Sequence, residues 1–320
     1  LGTASTSPTA SAEGADVQNF KPAAGGGRFI TTTDARSLGQ WGLHFALNFS
    51  YGKDPLIYYK NGKKTSDVVA DQVGAELAAA VGLFEFLDID VAVPVALETG
   101  RTADLSSSLP IAAMGNVRTA LKLRILDGRK KLVGLAFHSE VTIPTGSTAA
   151  LMGTGSVEYA PSLAFSVGTS VFAMAINVGY RLRAASQVAG FTFDDEIFYR
   201  LGLALRLKKP PIHVVAEGFA ATSAVRPWQK EIENPAEGFI GFRFPFGKGF
   251  ILSLGGGGSL LPGYGTPAMR VMTSFAFFPE KDDDPKPIFD PPEVRKEPPP
   301  EDANADDDAD GIPNGRDLCP

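Results

Sequence analysis

Aspartates near the end of the chain are spaced like the ligands of a metal ion. Asp306, Asp308 and Asp310 stand at alternate positions, Gly311 permits a sharp bend after them, and Asp317 can complete the shell. Hard oxygen ligands in a tight loop are what Ca²⁺ takes in proteins. A solvated acidic tail would account for the acids but not for the Gly-Ile-Pro and Asp-x-Cys-Pro that accompany them. The sequence predicts a calcium site with the ligands Asp306, Asp308, Asp310, Ile312, Asn314 and Asp317.

Charged side chains recur at the polar positions of stretches in which polar and apolar residues alternate. They could form a charged pore lining. They could instead form an ion-pair network that fills a narrow lumen, because opposite charges on adjacent strands pair across a sheet. The mixture of signs favours the network, although both interpretations stay open. The predicted lumen-lining residues are Asp88, Asp90, Arg118, Lys122, Arg124, Glu140, Arg181, Arg183, Arg200 and Arg206.

The histidines His44, His138 and His213 are the candidates for catalysis. His138 is the histidine that has a serine beside it, Ser139. Alternation places those two side chains on opposite faces of a strand, so they cannot act as base and nucleophile. We therefore predict no catalytic residue and a protein that is not an enzyme.

Aromatic residues in predicted outer loops form the last candidate site. Together with nearby lysines they could dock a surface partner. They could equally anchor the loops at the membrane interface beside anionic lipid headgroups. The predicted partner-contact residues are Tyr58, Tyr59, Trp228 and Tyr264.

The elements that must position these side chains are β-strands. In residues 40–51 every odd position is apolar and bulky, from Trp41 to Tyr51, and every even position is small or polar. This period of two indicates a strand with two unlike faces, long enough to cross a bilayer, which takes about 9–11 residues. About twelve such stretches follow one another, and their connections alternate between long and short, as in outer-membrane barrels.

The predicted fold class is therefore all-β: an antiparallel transmembrane β-barrel of about twelve strands. A soluble β-sandwich also alternates, but its strands are usually shorter. An amphipathic helix over residues 67–83 is the competing local interpretation. The polar stretch 52–66 and the glycine-rich stretch 255–268 are predicted to be loops. The weakest strand is 212–221, whose register the sequence does not fix.

Composition limits the class and the domain organisation. The 35 Gly and 24 Pro among 320 residues are too many for a helical protein, and a net charge of −6 without a basic block argues against a nucleic-acid partner. The sequence contains no uninterrupted apolar run of about 18 residues, so it predicts no transmembrane helix. We expect a flexible N-terminal segment at 1–38, the barrel at 39–278, a Pro-rich linker at 279–301 and a calcium-binding repeat at 302–320.

The Asp-rich stretch resembles a thrombospondin type 3 repeat, D-x-D-x-D-G-x-x-D-x-x-D-x-C, with Asn314 where that family usually has Asp. The family pairs this Cys with one in a neighbouring repeat, so the resemblance implies that Cys319 lacks its partner and that the chain is part of a longer protein. Barrel, Pro-rich spacer and repeat in this order resemble OmpA-family outer-membrane proteins with a thrombospondin-repeat linker. TraB-like proteins of outer-membrane exchange share this architecture.

This resemblance implies a bacterial outer-membrane location and a peptidoglycan-binding domain beyond residue 320. The alternating connections place both ends of the barrel in the periplasm. We expect the barrel to anchor the protein in outer-membrane lipid while its loops contact a surface protein or a neighbouring cell, in adhesion or exchange. The calcium-stiffened linker would reach toward the cell wall. The alternative is a narrow, porin-like diffusion channel.

Overall fold

The computed structural model describes residues 14–60, 63–100, 112–128, 132–188 and 191–278. Within these ranges the secondary structure is β-sheet apart from the short 3₁₀ helix Glu231–Glu233. No helix in the described residues is long and apolar enough to cross a membrane.

Twelve antiparallel strands form the wall of a closed barrel. They are β1 (Leu43–Lys60), β2 (Lys63–Gly82), β3 (Leu87–Gly100), β4 (Val117–Leu126), β5 (Val133–Ile143), β6 (Glu158–Gly168), β7 (Phe172–Arg181), β8 (Glu196–Arg206), β9 (His213–Ser223), β10 (Ala236–Phe246), β11 (Phe250–Leu261) and β12 (Met269–Phe277). Each strand pairs with the next along the chain, and β12 pairs back with β1. Closure satisfies the backbone groups that an open sheet edge would expose to lipid. The predicted twelve-stranded barrel is confirmed.

Alternate residues of the strands face outward and into the lumen. On β1, Phe45 and Leu47 are 48% and 40% exposed, whereas His44 and Asn48 are each 5% exposed. The same alternation holds where the last strand meets the first: Phe275 of β12 and its register partner Leu47 of β1 are both exposed. An apolar outer band around a polar interior is the pattern of a transmembrane barrel.

From β2 onward the connections between strands alternate between short and long, as the sequence predicts, whereas β1 and β2 form a hairpin in which Lys60 lies opposite Lys63. The short connections 83–86, 127–132, 169–171, 207–212 and 247–249 lie at one end of the barrel, which we call the short-turn end. The opposite end, called the long-loop end, carries the tip of the β1–β2 hairpin and the connections 101–116, 144–157, 182–195, 224–235 and 262–268.

Several local predictions are wrong. The polar stretch 52–66, predicted as a loop, continues β1 and β2 until Lys60 lies opposite Lys63. The helix considered for 67–83 is excluded because those residues belong to β2 and its turn. The glycines 255–258, also predicted as a loop, lie inside β11. There a Cβ on Gly257 would stand 2.0 Å from the carbonyl oxygen of Gly238, so the close strand approach requires glycine.

The prediction of a flexible segment at 1–38 is wrong for its described part. From residue 14 to residue 38 the chain runs through the interior of the barrel, and Ala15, Val17 and Ala35 are fully buried there. We call residues 14–38 the luminal segment. The wall accommodates it because many inward side chains are small, so Ala24 of the segment packs in one cluster with wall alanines such as Ala46 and Ala78.

Candidate functional site

The luminal segment crosses the barrel from end to end. At the long-loop end, Ala15–Asp16 pairs with Met152–Gly153, and the Ser186 hydroxyl donates to the carbonyl oxygen of Gly14 at 2.6 Å. At the short-turn end, the Leu38 N–H and the Ser37 hydroxyl donate to the Asp88 carboxylate at 3.1 and 2.7 Å.

The two ends of the described chain therefore lie at opposite ends of the barrel. Residue 14 is at the long-loop end, whereas the Phe278 N–H donates to Gly249 in a short turn at 2.6 Å. The sequence predicts that both ends of the barrel itself lie on one side, and Phe45 near its start is the register partner of Phe277 near its end. The luminal segment that precedes the barrel starts at the opposite end, and the periodicity of the strands carries no information about a segment inside them.

Glu217 on β9 makes the densest contact with the luminal segment. Its carboxylate accepts backbone N–H bonds from Ile30 at 2.5 Å, Thr31 at 2.9 Å and Thr32 at 2.8 Å. The hydroxyls of Thr31 and Thr32 donate to it as well, both at 2.9 Å. A buried carboxylate is stabilised by such convergent donors, and hydrogen bonds to a charged group contribute about 1.5–3 kcal/mol each. Glu217 thereby fixes the middle of the segment.

An amide on the wall clamps the next residue of the segment. The side chain of Asn177 on β7 accepts from the Thr33 N–H at 2.7 Å and donates to the Thr33 carbonyl oxygen at 2.8 Å. The ring of His44 donates from Nδ1 to the Ala24 carbonyl oxygen at 2.8 Å. The wall therefore binds the backbone of the segment, largely independently of its side chains.

Three arginines of the wall donate to backbone carbonyls of the segment. Arg118 reaches Pro22 at 3.3 Å and Arg243 reaches Gly27 at 2.8 Å. Arg200 donates to Lys21 at 3.2 Å and also to Thr31. Guanidinium groups here satisfy carbonyls that would otherwise be buried without partners.

The segment is also folded on itself by an ion pair. Arg28 binds Asp34 in a bidentate contact, Nε to Oδ2 at 2.6 Å and Nη2 to Oδ1 at 2.8 Å. Both side chains of this pair are buried, so each charge depends on the other for its compensation.

The remaining lumen charges pair across the wall. Arg118 binds Glu76 at 2.7 Å and Glu140 at 3.1 Å, and Lys122 binds Asp88 at 3.1 Å. These contacts support the ion-pair network rather than an open charged pore in this conformation.

A second group of charges lies toward the long-loop end. Arg181 and Arg183 bind Glu196 at 2.7 and 2.6 Å. Tyr264 donates its hydroxyl to the same carboxylate and is only 5% exposed. The prediction that Tyr264 contacts an external partner is therefore wrong, because its loop folds inward to bury the ring against Phe193.

The other predicted lumen residues lie on the inner face or at its ends. Asp90 lies 3.9 Å from the His138 ring, and Arg124 pairs with Asp127 at 3.2 Å. Arg206 stands at the short-turn end, beside an open cavity. Inside the lumen, the space that remains beside residues 22–26 is a cavity of about 30 Å³, room for an ordered water but not for a permeating solute.

The other predicted contact residues and the histidines have separate locations. Trp228 is 58% exposed and stacks on Tyr199, with 6.4 Å between ring centroids. The side chains of Tyr58 and Tyr59 lie outside the described residues. The Ser139 hydroxyl donates to the Tyr159 hydroxyl at 3.2 Å, on the face opposite His138.

The predicted calcium ligands and the linker also lie outside the described residues, in 279–320. Among the residues that are described, no cluster of three His, Cys, Asp or Glu side chains could hold a metal ion. The calcium site stays a prediction.

Sequence analysis missed the whole luminal segment, and with it the role of the inward-facing Glu217 and Asn177 in holding that segment. One signal could have pointed to them. The inward positions of neighbouring strands are repeatedly alanine, and Ala136 and Ala164 leave the space that Ala35 fills. A wall of small inward residues implies an occupant of the lumen.

Comparison with known proteins supports the fold. No protein-family model and no curated sequence matches the chain. An outer-membrane channel of Pseudomonas putida F1 has a TM-score of 0.58 at 12% identity, covering 78% of this chain and 99% of that one. The NanC porin gives 0.48 at 8% identity over 75% and 100%. An outer-membrane phospholipase of Salmonella typhi gives 0.37 at 10% identity over 73% and 90%. The first likeness shows an outer-membrane barrel fold.

Proposed function

We propose that this chain is a channel of the bacterial outer membrane whose lumen is closed by its own luminal segment. The observation that carries the proposal is how that segment is held. Within the described residues its only sheet pairing with the rest of the chain is the two-residue contact of Ala15–Asp16 with Met152–Gly153. The segment can therefore leave without breaking a hydrogen bond of the barrel sheet.

The chemistry of the wall supports a lumen that can hold water. Glu217, Asn177 and Arg200 bind the segment through polar atoms, and water can replace each of those partners. A barrel that served only as an anchor gains little from such a lining, since buried charges stabilise less than an apolar core of the same volume. The fold likeness to a channel supports the same proposal.

The proposed orientation follows the rule for outer-membrane barrels, with short turns in the periplasm and long loops outside. Residue 14 then lies on the cell-surface side, and residue 278 lies on the periplasmic side. The linker after residue 278 would enter the periplasm, where the predicted calcium repeat and a contact with peptidoglycan belong.

Liposome swelling with sugars of increasing size tests the proposal on the full chain. We expect slow swelling for the unaltered protein and swelling several-fold faster for Glu217→Gln, which loses acceptor capacity toward Thr31 and Thr32. Glu231→Gln is the matched control, because Glu231 is exposed on the 3₁₀ helix outside the lumen. If liposomes that contain the unaltered protein or either variant swell no faster than empty liposomes, the channel proposal is refuted.

A further inference from the structure

Backbone groups of three consecutive residues in the luminal segment are bound by side chains of the wall. Glu217 accepts the N–H groups of Thr31 and Thr32 at 2.9 and 2.8 Å. Asn177 accepts the N–H of Thr33 at 2.7 Å and donates to its carbonyl oxygen at 2.8 Å. A wall arginine donates to the carbonyl oxygen of Thr31. The wall thus binds five of the six backbone polar groups of this tripeptide.

The three wall side chains come from neighbouring strands, so the sheet itself sets their spacing. Asn177 on β7 and the arginine, Arg200 on β8, are register partners. Glu217 on β9 lies opposite Gly202, two residues further along β8. Groups that are held on strands are positioned more precisely than groups on loops. We call Asn177, Arg200 and Glu217 the amide clamp.

The amide clamp binds main chain through both of its hydrogen-bonding functions. Arg200 and the Asn177 amide supply donors for carbonyl oxygens, whereas Glu217 and the Asn177 amide supply acceptors for N–H groups. Main-chain hydrogen bonds give affinity for a peptide without specifying its side chains. Glu217 also accepts the hydroxyls of Thr31 and Thr32, so a peptide that contains threonine gains further bonds.

We propose that the cargo of the channel is a short peptide, and that residues 31–33 occupy its binding subsite in the closed state. This inference rests on the proposed function, because the amide clamp is accessible only after the luminal segment has left. Among the described residues, the hydrogen bonds of Asn177, Arg200 and Glu217 all go to that segment. Its departure therefore exposes donors and acceptors together, and the backbone of an entering peptide replaces the groups that were lost.

Two isomeric probes separate a peptide site from a simple pore. N-acetyl-trialanine amide and N-acetyl-trisarcosine amide contain the same atoms and carry no charge, but each sarcosine bears its methyl group on the amide nitrogen and so lacks the N–H donor. A site built to bind an N–H rejects a ligand without one, because its acceptors are left unpaired. In liposome swelling with the full chain, we expect the alanine probe to enter about threefold faster or more.

A change in the amide clamp should lower this ratio of entry rates. Asn177→Leu keeps the approximate size of the side chain but removes both of its hydrogen bonds to Thr33. We expect the alanine-to-sarcosine ratio to fall to about half or less, whatever the change does to the overall rate. Asn116→Leu is the matched control, because the Asn116 amide accepts the Gly146 N–H at 2.9 Å in the connection 144–157 rather than residues 31–33. Heat-modifiable gel migration checks that each variant is folded.

Two results would overturn the inference and leave the channel in place. One is equal entry of the two probes into liposomes that also admit sugars. The other is a ratio for Asn177→Leu as high as that of the Asn116→Leu control. If neither the probes nor any sugar enter faster than they enter empty liposomes, the proposed function itself fails. The comparison of the probes on the unaltered protein decides the matter even where a variant does not fold.

Discussion

Glu217 binds Thr32 twice, accepting its backbone N–H at 2.8 Å and its side-chain hydroxyl at 2.9 Å. The two residues are 185 positions apart in the chain. One is on a strand of the wall and the other on the segment that fills the lumen. This contact therefore reports directly on whether the segment is in place.

A double-mutant cycle should show that this contact holds the closed state. Thr32→Val keeps the shape of the side chain but removes its hydroxyl, and Glu217→Gln weakens the acceptor. We expect each change to raise the open probability in single-channel recordings, and the two together to raise it less than additively, with a coupling of about 1 kcal/mol or more. Additive effects of the two changes would mean that the contact does not control opening.

Asn177→Asp should loosen the segment around Thr33. A carboxylate at this position still accepts a hydrogen bond from the Thr33 N–H. It cannot donate to the Thr33 carbonyl oxygen, so two acceptors would face each other there. Hydrogen exchange should then rise in peptides that cover residues 29–36. Asn234→Asp is the control, because it loses a similar amide bond, to the carbonyl of Lys230, in the connection 224–235. Unchanged exchange at 29–36 would show that Asn177 does not retain the segment.

The outer face of the barrel could be predicted from the sequence, whereas the contents of the lumen could not. Alternation fixes which residues meet lipid, so Phe45 and Leu47 were placed correctly by period alone. The luminal segment has no such period. Its burial depends on backbone groups meeting side chains such as Glu217 that are far away in the chain.

The error on Tyr264 has the same origin. An aromatic residue in a predicted loop looks like a contact for a partner, but the acceptor that buries its hydroxyl, Glu196, comes from a strand 68 positions away. The lumen charges were easier to place, because Arg118 and Glu140 lie on neighbouring strands and on the same face.

The proposed orientation predicts which end of the barrel faces the cell surface. An epitope inserted after Gln229, which is exposed in the connection 224–235, should bind antibody on intact cells, because that connection lies at the long-loop end. An epitope at Lys248, in a short turn, should bind antibody only after the outer membrane is permeabilised. The reverse pattern would contradict the proposed orientation.

Calcium should bind the full chain through the predicted repeat. Changing Asp308 and Asp310 to Asn removes two carboxylate ligands and should weaken Ca²⁺ binding about tenfold or more, measured by calorimetry. The control changes Asp283 and Asp284 to Asn, an equal change in charge within an acidic run that lacks the spacing. Equal weakening by both pairs would favour a solvated acidic tail over a calcium site.

The central claim is that current flows only when the luminal segment moves. A disulfide that links the segment to the wall, and that can be reduced again, tests this claim most directly. We call this disulfide the lock. A Cβ built on Gly134 of β5 would lie 3.2 Å from the Cβ of Ala35, close to the separation of about 3.5–4.5 Å in disulfides. The test protein carries Ala35→Cys and Gly134→Cys, with Cys319→Ser to remove the native thiol. The control links two register partners on the outer face of the wall, away from the segment, by Leu121→Cys and Ser139→Cys, again with Cys319→Ser.

Single-channel recordings of the oxidised and reduced proteins give the answer. The account predicts that the oxidised lock abolishes openings, that reduction restores them, and that the control opens equally in both states. Openings of the oxidised lock as frequent as those after reduction would contradict it, because current would then pass without movement of the segment.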